Sequence, residues 1–399
     1  KWTCRNSRFR PTIVGLNRLF LQVHFMSQRA DVLEASPGLL EAELAAGKRG
    51  FTLGIEGLSE RQRSFLQKRL REDAVRRLLD RLLEAGVREV KLFYLLTGYE
   101  NEEDFEEFRS FLGWLSARCR RRSSGTRLIF SFNRLLRMPF TPLRYDRLFL
   151  QQSRWRPLVA QARRAVEAFS GWEFRLASSW QEYAAAQVLV MGGYWLHEPL
   201  RLLAERGFCY DGGLAPAAWR LLREWLAGRP ELLGALTAEK SEDYPFAFGF
   251  VQTAVPGRVL YSSYLRARKA LEPRSEPLEP PAASARLGPR VSPQTEGELR
   301  RLLSAKLRLP PLFALVRLPP AVAGASPEWL NAWLMRELLR SRPELTANLL
   351  CVREILFCTG DPRRRWPPWY GRTLASLTAW DPQAAFRALQ SPPAPDSRP

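Results

Sequence analysis

RGFTLGIEGLSERQRSFLQKRL (residues 49–70), REDAVRRLLDRLLEAG (71–86) and VREVKLFYLLTGYE (87–100) are the three consecutive runs whose reading decides the fold. Residues 50–56 form a short apolar strand that ends in a polar turn. In the middle run Val75, Leu78, Leu79, Leu82 and Leu83 recur at helix spacing, so one face is apolar. Ala85-Gly86 stops that helix, because glycine adopts the left-handed conformation beyond a helix end. Residues 87–96 read as a second strand, apolar enough for burial on both faces. Strand, turn, helix and strand at this spacing make a βαβ unit, the building block of parallel sheets and barrels. Ligands of such sheets sit at the carboxyl ends of the strands. Those ends are Gly54-Ile55-Glu56-Gly57 and Thr97-Gly98-Tyr99-Glu100.

Upstream, residues 1–18 show no clear pattern, and the apolar run 19–26 reads as a strand. Ser36-Pro37 opens a short helix to Ala46, with Gly47 closing it. Downstream, Asn101 caps a helix whose first turn holds Glu102, Glu103 and Asp104, favourable to the helix dipole. Residues 126–133 form the next strand. From 153 to 271 the pattern is mainly helical, with helices at 155–169, 180–191 (started by Ser178 or Ser179), 196–205, 216–227 and 260–270. Residues 272–296 are rich in Pro, Ser, Ala and Gly and read as a linker. Strands at 312–318, 349–357 and 373–380, with helices opened by Ser326-Pro327 and Asp381-Pro382, give a β-α-β-β-α order, an incomplete ferredoxin-like layer. Residues 391–399 read as a disordered tail.

Four features in this order resemble the later part of a radical S-adenosylmethionine core. They are the GIEG strand end followed by Ser59-Glu60, Lys68 twelve residues after Glu56, the GYE strand end followed by Asn101-Glu102-Glu103-Asp104, and Asn133 with Pro139-Phe140-Thr141-Pro142. Ser27-Gln28-Arg29-Ala30-Asp31-Val32-Leu33 resembles the preceding strand of the same barrel. The resemblance spans about residues 27–145, and the most similar members carry a cobalamin-binding domain upstream of the core. It implies the later half of a partial (β/α) barrel within 1–150; with the pattern read above, the chain is expected to be α/β, with a helical extension at 151–271, the linker at 272–296 and a small α+β domain at 297–390. It implies S-adenosylmethionine and a four-iron four-sulfur cluster as cofactors, with cobalamin as a further possibility, and radical chemistry on an unknown substrate.

The resemblance also carries candidate residues. Glu56 matches a position near the cofactor, where a carboxylate can bind a ribose hydroxyl or an ammonium group. Its alternative is a glutamate that caps the next helix. Lys68 matches a basic residue that pairs with the methionyl carboxylate, or is a solvated helix lysine. Arg29 and Asp31 belong to the preceding strand end, or form a structural ion pair. Tyr99 is placed to stack on adenine, whereas Tyr94 suits the core. The departure is the cluster itself. Its ligation needs closely spaced thiolates, and no two of the five cysteines lie closer than Cys351 and Cys358. The chain also starts without Met, so an incomplete N-terminus is expected.

The five cysteines are scattered and odd in number, which argues against a disulfide framework and fits a cytoplasmic setting. No apolar run approaches membrane-span length. His24 and His197 are the only histidines and show no zinc spacing; GxSxG, P-loop and GxGxxG patterns are absent. The formal net charge is +20, and 54 of the 61 basic residues are arginine. This balance suits a nucleic-acid partner, or reflects an arginine-rich composition throughout. Arg118 to Arg122 with Trp114, and Arg363 to Arg365 with Trp366, Trp369 and Tyr370, pair charge with stacking rings in the way RNA binders do, or are simply charged loops. The alternative function is therefore a non-catalytic RNA-binding or scaffold protein built on a degenerate barrel.

Overall fold

The computed structural model describes residues 9–23, 28–68, 70–121, 125–208, 213–272, 291–316, 318–319, 325–357 and 373–391. In chain order the elements are α1 (Phe9–Leu19), β1 (Gln28–Arg29), α2 (Ala30–Ala35), α3 (Pro37–Ala45), β2 (Gly50–Glu56), α4 (Glu60–Phe65), α5 (Glu72–Glu84), β3 (Glu89–Leu96), α6 (Glu102–Arg121) and β4 (Arg127–Arg134). There follow α7 (Gln152–Glu167), β5 (Glu173–Leu176), α8 (Trp180–Met191), α9 (His197–Glu205), α10 (Pro216–Ala227), α11 (Pro230–Thr237) and α12 (Gly257–Lys269). The last are α13 (Pro293–Lys306), β6 (Leu312–Val316), α14 (Pro327–Ser341), β7 (Leu349–Phe357), β8 (Thr373–Ala379) and α15 (Pro382–Gln390). The chain is thus mixed α/β, with a parallel sheet and a small antiparallel one. It divides into two compact units. One is built on residues 26–34 and 49–285; the other gathers residues 1–25, 35–48 and 286–399.

The first unit holds the parallel sheet, whose strands follow the order β1-β2-β3-β4-β5. Leu53 pairs with Leu92, Leu92 with Phe130, and Phe130 with Phe174, all in parallel. The βαβ reading of residues 49–100 holds, including the stop at Gly86, which has φ +61°. Burial on both faces of β3 does not hold, because side chains alternate. Val90, Leu92, Tyr94 and Leu96 are buried, while Lys91, Phe93 and Leu95 are half-buried. The buried face is covered by helices: Phe108 of α6 meets Tyr94 edge-on at 5.3 Å and also contacts Phe130 and Phe132. The opposite face is half-buried at Thr52 and Gly54 of β2 and at Lys91 and Phe93 of β3, but closed over Ile129 and Ser131 of β4.

Three expectations change. The strand expected at 19–26 is replaced at its start by α1, which runs to Leu19, and residues 24–27 lie outside the described residues. The strand expected around Arg29 has two described members, because Ala30 already begins α2. In the helical stretch after 151, Glu173–Leu176 forms β5 and extends the sheet beside β4. The helices expected at 180–191 and 216–227 match α8 and α10, and Ser179 caps α8 with a reciprocal Ser179–Glu182 box.

The second unit contains the antiparallel order β6-β8-β7. Its elements follow the β-α-β-β-α order expected from the sequence. Leu334 of α14 packs with Leu349, Val352, Ala375, Leu377 and Ala385 in one core. The expected caps form, with Ser326 accepting from Trp329 N and Asp381 from Ala384 N. Residues 1–18 were expected to lack a pattern, yet α1 packs here: Trp380 Nε1 donates to Arg18 O at 2.6 Å, and Lys306 Nζ to Asn17 Oδ1 at 3.3 Å. Most of the expected linker (273–290) and the tail from 392 lie outside the described residues.

Candidate functional site

The carboxyl ends of five parallel strands face one edge, where general physical rules place ligands. At the end of β2, Glu56 has φ +78°, a left-handed conformation that costs a non-glycine residue of order 1–3 kcal/mol. The ladder shifts between Gly54 and Glu56, so Glu56 pairs with Tyr94. The Glu56 carboxylate folds back over Gly54, where a Cβ would lie 2.8 Å from Oε1. Gly57 then brings main chain against main chain, since a Cβ there would lie 2.5 Å from Arg63 N.

Lys68 reaches this corner through the end of α4. Gln67 is left-handed (φ +53°), its N–H donates to Ser64 O, and Lys68 N–H donates to Arg63 O. That is the Schellman arrangement, here without the usual glycine. Lys68 therefore lies in the turn beyond α4, not within a helix. Its Nζ donates to Glu56 Oε1 at 3.2 Å, with the side chains 32% and 23% exposed. Beside them Arg29 Nε donates to Asp31 Oδ1 at 3.0 Å. The Asp31 hydrogen bond and charge raise the Arg29 guanidinium above its ordinary pKa, and the Glu56 charge adds to the effect. Four of the five expected site residues are thus brought together: Arg29, Asp31, Glu56 and Lys68.

Tyr99 belongs to a different network. Its hydroxyl donates to Asp146 Oδ1 at 2.7 Å, and its ring meets Phe65 and Phe149 edge-on at 5.4 and 5.0 Å. Burial, with the Asp146 carboxylate, pushes the Tyr99 phenol upward. Asp146 also accepts from Arg137 Nη2 at 2.8 Å, both side chains being fully buried, and Arg137 Nη2 donates to Thr97 O. Glu100 folds back to accept from Thr97 and Gly98 N–H, and Thr97 Oγ1 donates to Gln62 Oε1 at 2.7 Å. Burial still leaves the Glu100 carboxyl above its usual range. Asp104 accepts from Ser59, Arg61, Gln62 and Asn101 N–H. Burial pushes its carboxyl up, but those bonds outweigh it and hold it below the usual range. Sequence reasoning missed Gln62, Thr97, Arg137 and Asp146; the one local signal was the TG step before Tyr99, where Gly98 has φ +88°.

The basic run near Trp114 is largely engaged. Arg118 pairs with Asp80 at 2.7 Å, Arg120 donates to Ser116 Oγ, and Arg76 sits over the Trp114 ring. Arg122, the 363–370 segment, His24, Cys4, Cys209 and Cys358 lie outside the described residues. Cys119 and Cys351 fall in different units, and among the described residues no group of His, Cys, Asp and Glu is placed to hold a metal ion. The spacing of cysteines along the chain likewise does not fit a cluster held by three nearby thiolates. A half-open carboxylate–ammonium pair, in contrast, does fit an α-amino acid zwitterion, whose two charges can replace each partner. No described helix is long and apolar enough to cross a membrane. Compared with protein-family models, curated proteins and solved structures, the chain matches none.

Proposed function

We propose that the parallel sheet is the later part of a (β/α) barrel of the radical S-adenosylmethionine type, and that its carboxyl edge contacts S-adenosylmethionine. The observation that carries this reading is the Glu56–Lys68 pair, half-open and strained into place at the end of β2. Glu56 would take the methionyl ammonium or a ribose hydroxyl, and Lys68 the methionyl carboxylate. Arg29 and Asp31 would line the same corner. The strand order supports the barrel: a sheet that adds each strand beside the previous one is singly wound and has no reversal point of the Rossmann kind. Right-handed crossovers then leave one face to helices and the other to an interior, in keeping with a face half-buried at Gly54 and Phe93 and buried at Ile129 and Ser131. When bound, the cofactor would supply a carbon radical on reductive cleavage. The cluster that delivers the electron would need thiolates that this sequence does not space together.

Calorimetric titration with S-adenosylmethionine tests the reading. Saturable binding is expected, and Glu56→Gln and Lys68→Ala should each weaken it by roughly 1–3 kcal/mol, the range for losing a hydrogen bond to a charged group. Absence of binding, or unchanged affinity in both variants, would overturn it.

A further inference from the structure

A second feature of the same sheet edge lies at the end of β4 and is independent of the Glu56 corner. Arg134 is the last residue of that strand and is only 5% exposed. Its Nη1 donates to Ser178 O at 2.9 Å, but its buried Nε has no partner. No carboxylate pairs with it among the described residues. A buried guanidinium left without a counter-ion is costly, because its lost hydration is not replaced.

Arg134 lines a cleft of about 300 Å³ with Gln152, Trp155, Arg156, Arg163, Arg164 and Trp180. No Asp or Glu is in that lining. Gln152, Arg156, Val159 and Arg163 recur along one face of α7, so the helix repeat itself aims cations at the cleft. Arg156 and Arg164 are exposed and have no ion-pair partner among the described residues; Arg163 shares Glu167 at 3.3 Å. Trp180 is held by its Nε1–H bond to Leu150 O and by edge contact with Trp219, and so presents a fixed wall.

We propose that this cleft binds a phosphate group of a small phosphorylated molecule, with Arg134 at its base and Arg156, Arg163 and Arg164 at its rim. The Nη1 bond to Ser178 leaves the Nε–Nη2 edge of Arg134, the fork that donates side-on to two oxygens of one anion. Three guanidiniums without a carboxylate, and a fourth shared with Glu167, exceed what one carboxylate ligand needs, and suit a dianion with three terminal oxygens. The small volume and single buried guanidinium favour a compact ligand over a nucleic-acid strand, which binds along an extended charged groove.

Inorganic phosphate is the probe, titrated at constant ionic strength and followed by tryptophan fluorescence and calorimetry. Saturable binding is expected in the wild-type chain. The double variant Arg156→Ala/Arg164→Ala should keep the unliganded melting temperature, since neither side chain has an ion-pair partner among the described residues, and lose at least tenfold in phosphate affinity. Arg134→Lys keeps the charge but removes the fork, and should lose at least as much. Glu56→Gln should bind phosphate as the wild type does, which separates this site from the proposed cofactor corner. No saturable phosphate binding, or wild-type affinity in both arginine variants, overturns the proposal. Displacement of phosphate by a short single-stranded RNA at lower concentration than by a phosphorylated sugar also overturns it, in favour of a nucleic-acid surface.

Discussion

Glu56–Lys68 and Arg137–Asp146 are both ion pairs at the carboxyl edge of one parallel sheet, and they are built to opposite ends. Arg137 and Asp146 are fully buried, and their remaining polar atoms are bonded to Thr97 O, Leu135 O and the Tyr99 hydroxyl. Glu56 and Lys68 keep about a quarter to a third of their side chains in solvent and hold each other through one 3.2 Å bond. A sealed pair cannot exchange its partner for a ligand without exposing a bare charge. A half-open pair can, because water screens each charge during the exchange. Position at a strand end therefore does not define a site; the degree of closure does.

That contrast can be broken most forcefully at Asp146. Asp146→Ala leaves the Arg137 guanidinium buried and unpaired, and should cost about 3–5 kcal/mol of unfolding free energy. Urea unfolding measures it, and a loss below about 1 kcal/mol would mean that Arg137 reaches water and that the pair is not sealed. A smaller signature comes from Lys240, which is buried beside the same pair and bonded to Leu236 O. Burial, only partly offset by Asp146, pulls its ammonium pKa from 10.5 down to about 8. Between about pH 8 and 10.5 the unfolded chain then binds the proton and the folded chain does not, so this residue makes stability rise with pH in that window. It follows that stability measured at pH 7.5 and 9.5 should change less favourably with pH in Lys240→Met than in the wild type. An identical pH dependence in the two proteins would place the Lys240 ammonium in solvent. The smallest effect belongs to the open corner. Lys68→Ala should change unfolding free energy by no more than about 1 kcal/mol, as exposed pairs do. A loss of 3 kcal/mol would make Lys68 a structural residue like Arg137.

The sequence showed what repeats and hid what is long-range. The apolar spacing of Val75 to Leu83 and the Gly86 stop are local signals, and α5 follows them. The same holds for the Ser326 and Asp381 caps of the second unit. β5 has four residues, too few to display a period, and its assignment depends on β4 being beside it. α1 starts in a segment whose helical face becomes evident only where it packs with residues nearly 300 positions away. At the site, the family-like spacing of Glu56 and Lys68 found two residues that do meet. It misassigned the helical position of Lys68, because Gln67 takes the left-handed turn without a glycine to announce it. Tyr99 looked available only because Asp146, which engages it, lies across a proline-rich loop.

The order of the parallel sheet has a consequence for how the chain is made. Each strand pairs with its immediate predecessor, about 25 to 44 residues upstream, so loop closure costs a similar, modest entropy at every step. A polypeptide emerging from the ribosome therefore never has to wait for a distant strand before the next one can dock. The sheet grows at one edge in the direction of synthesis, and the last strand added, β5, is also the shortest after β1. Growth that stops on a four-residue strand leaves few free N–H and C=O groups for another nascent chain to seize.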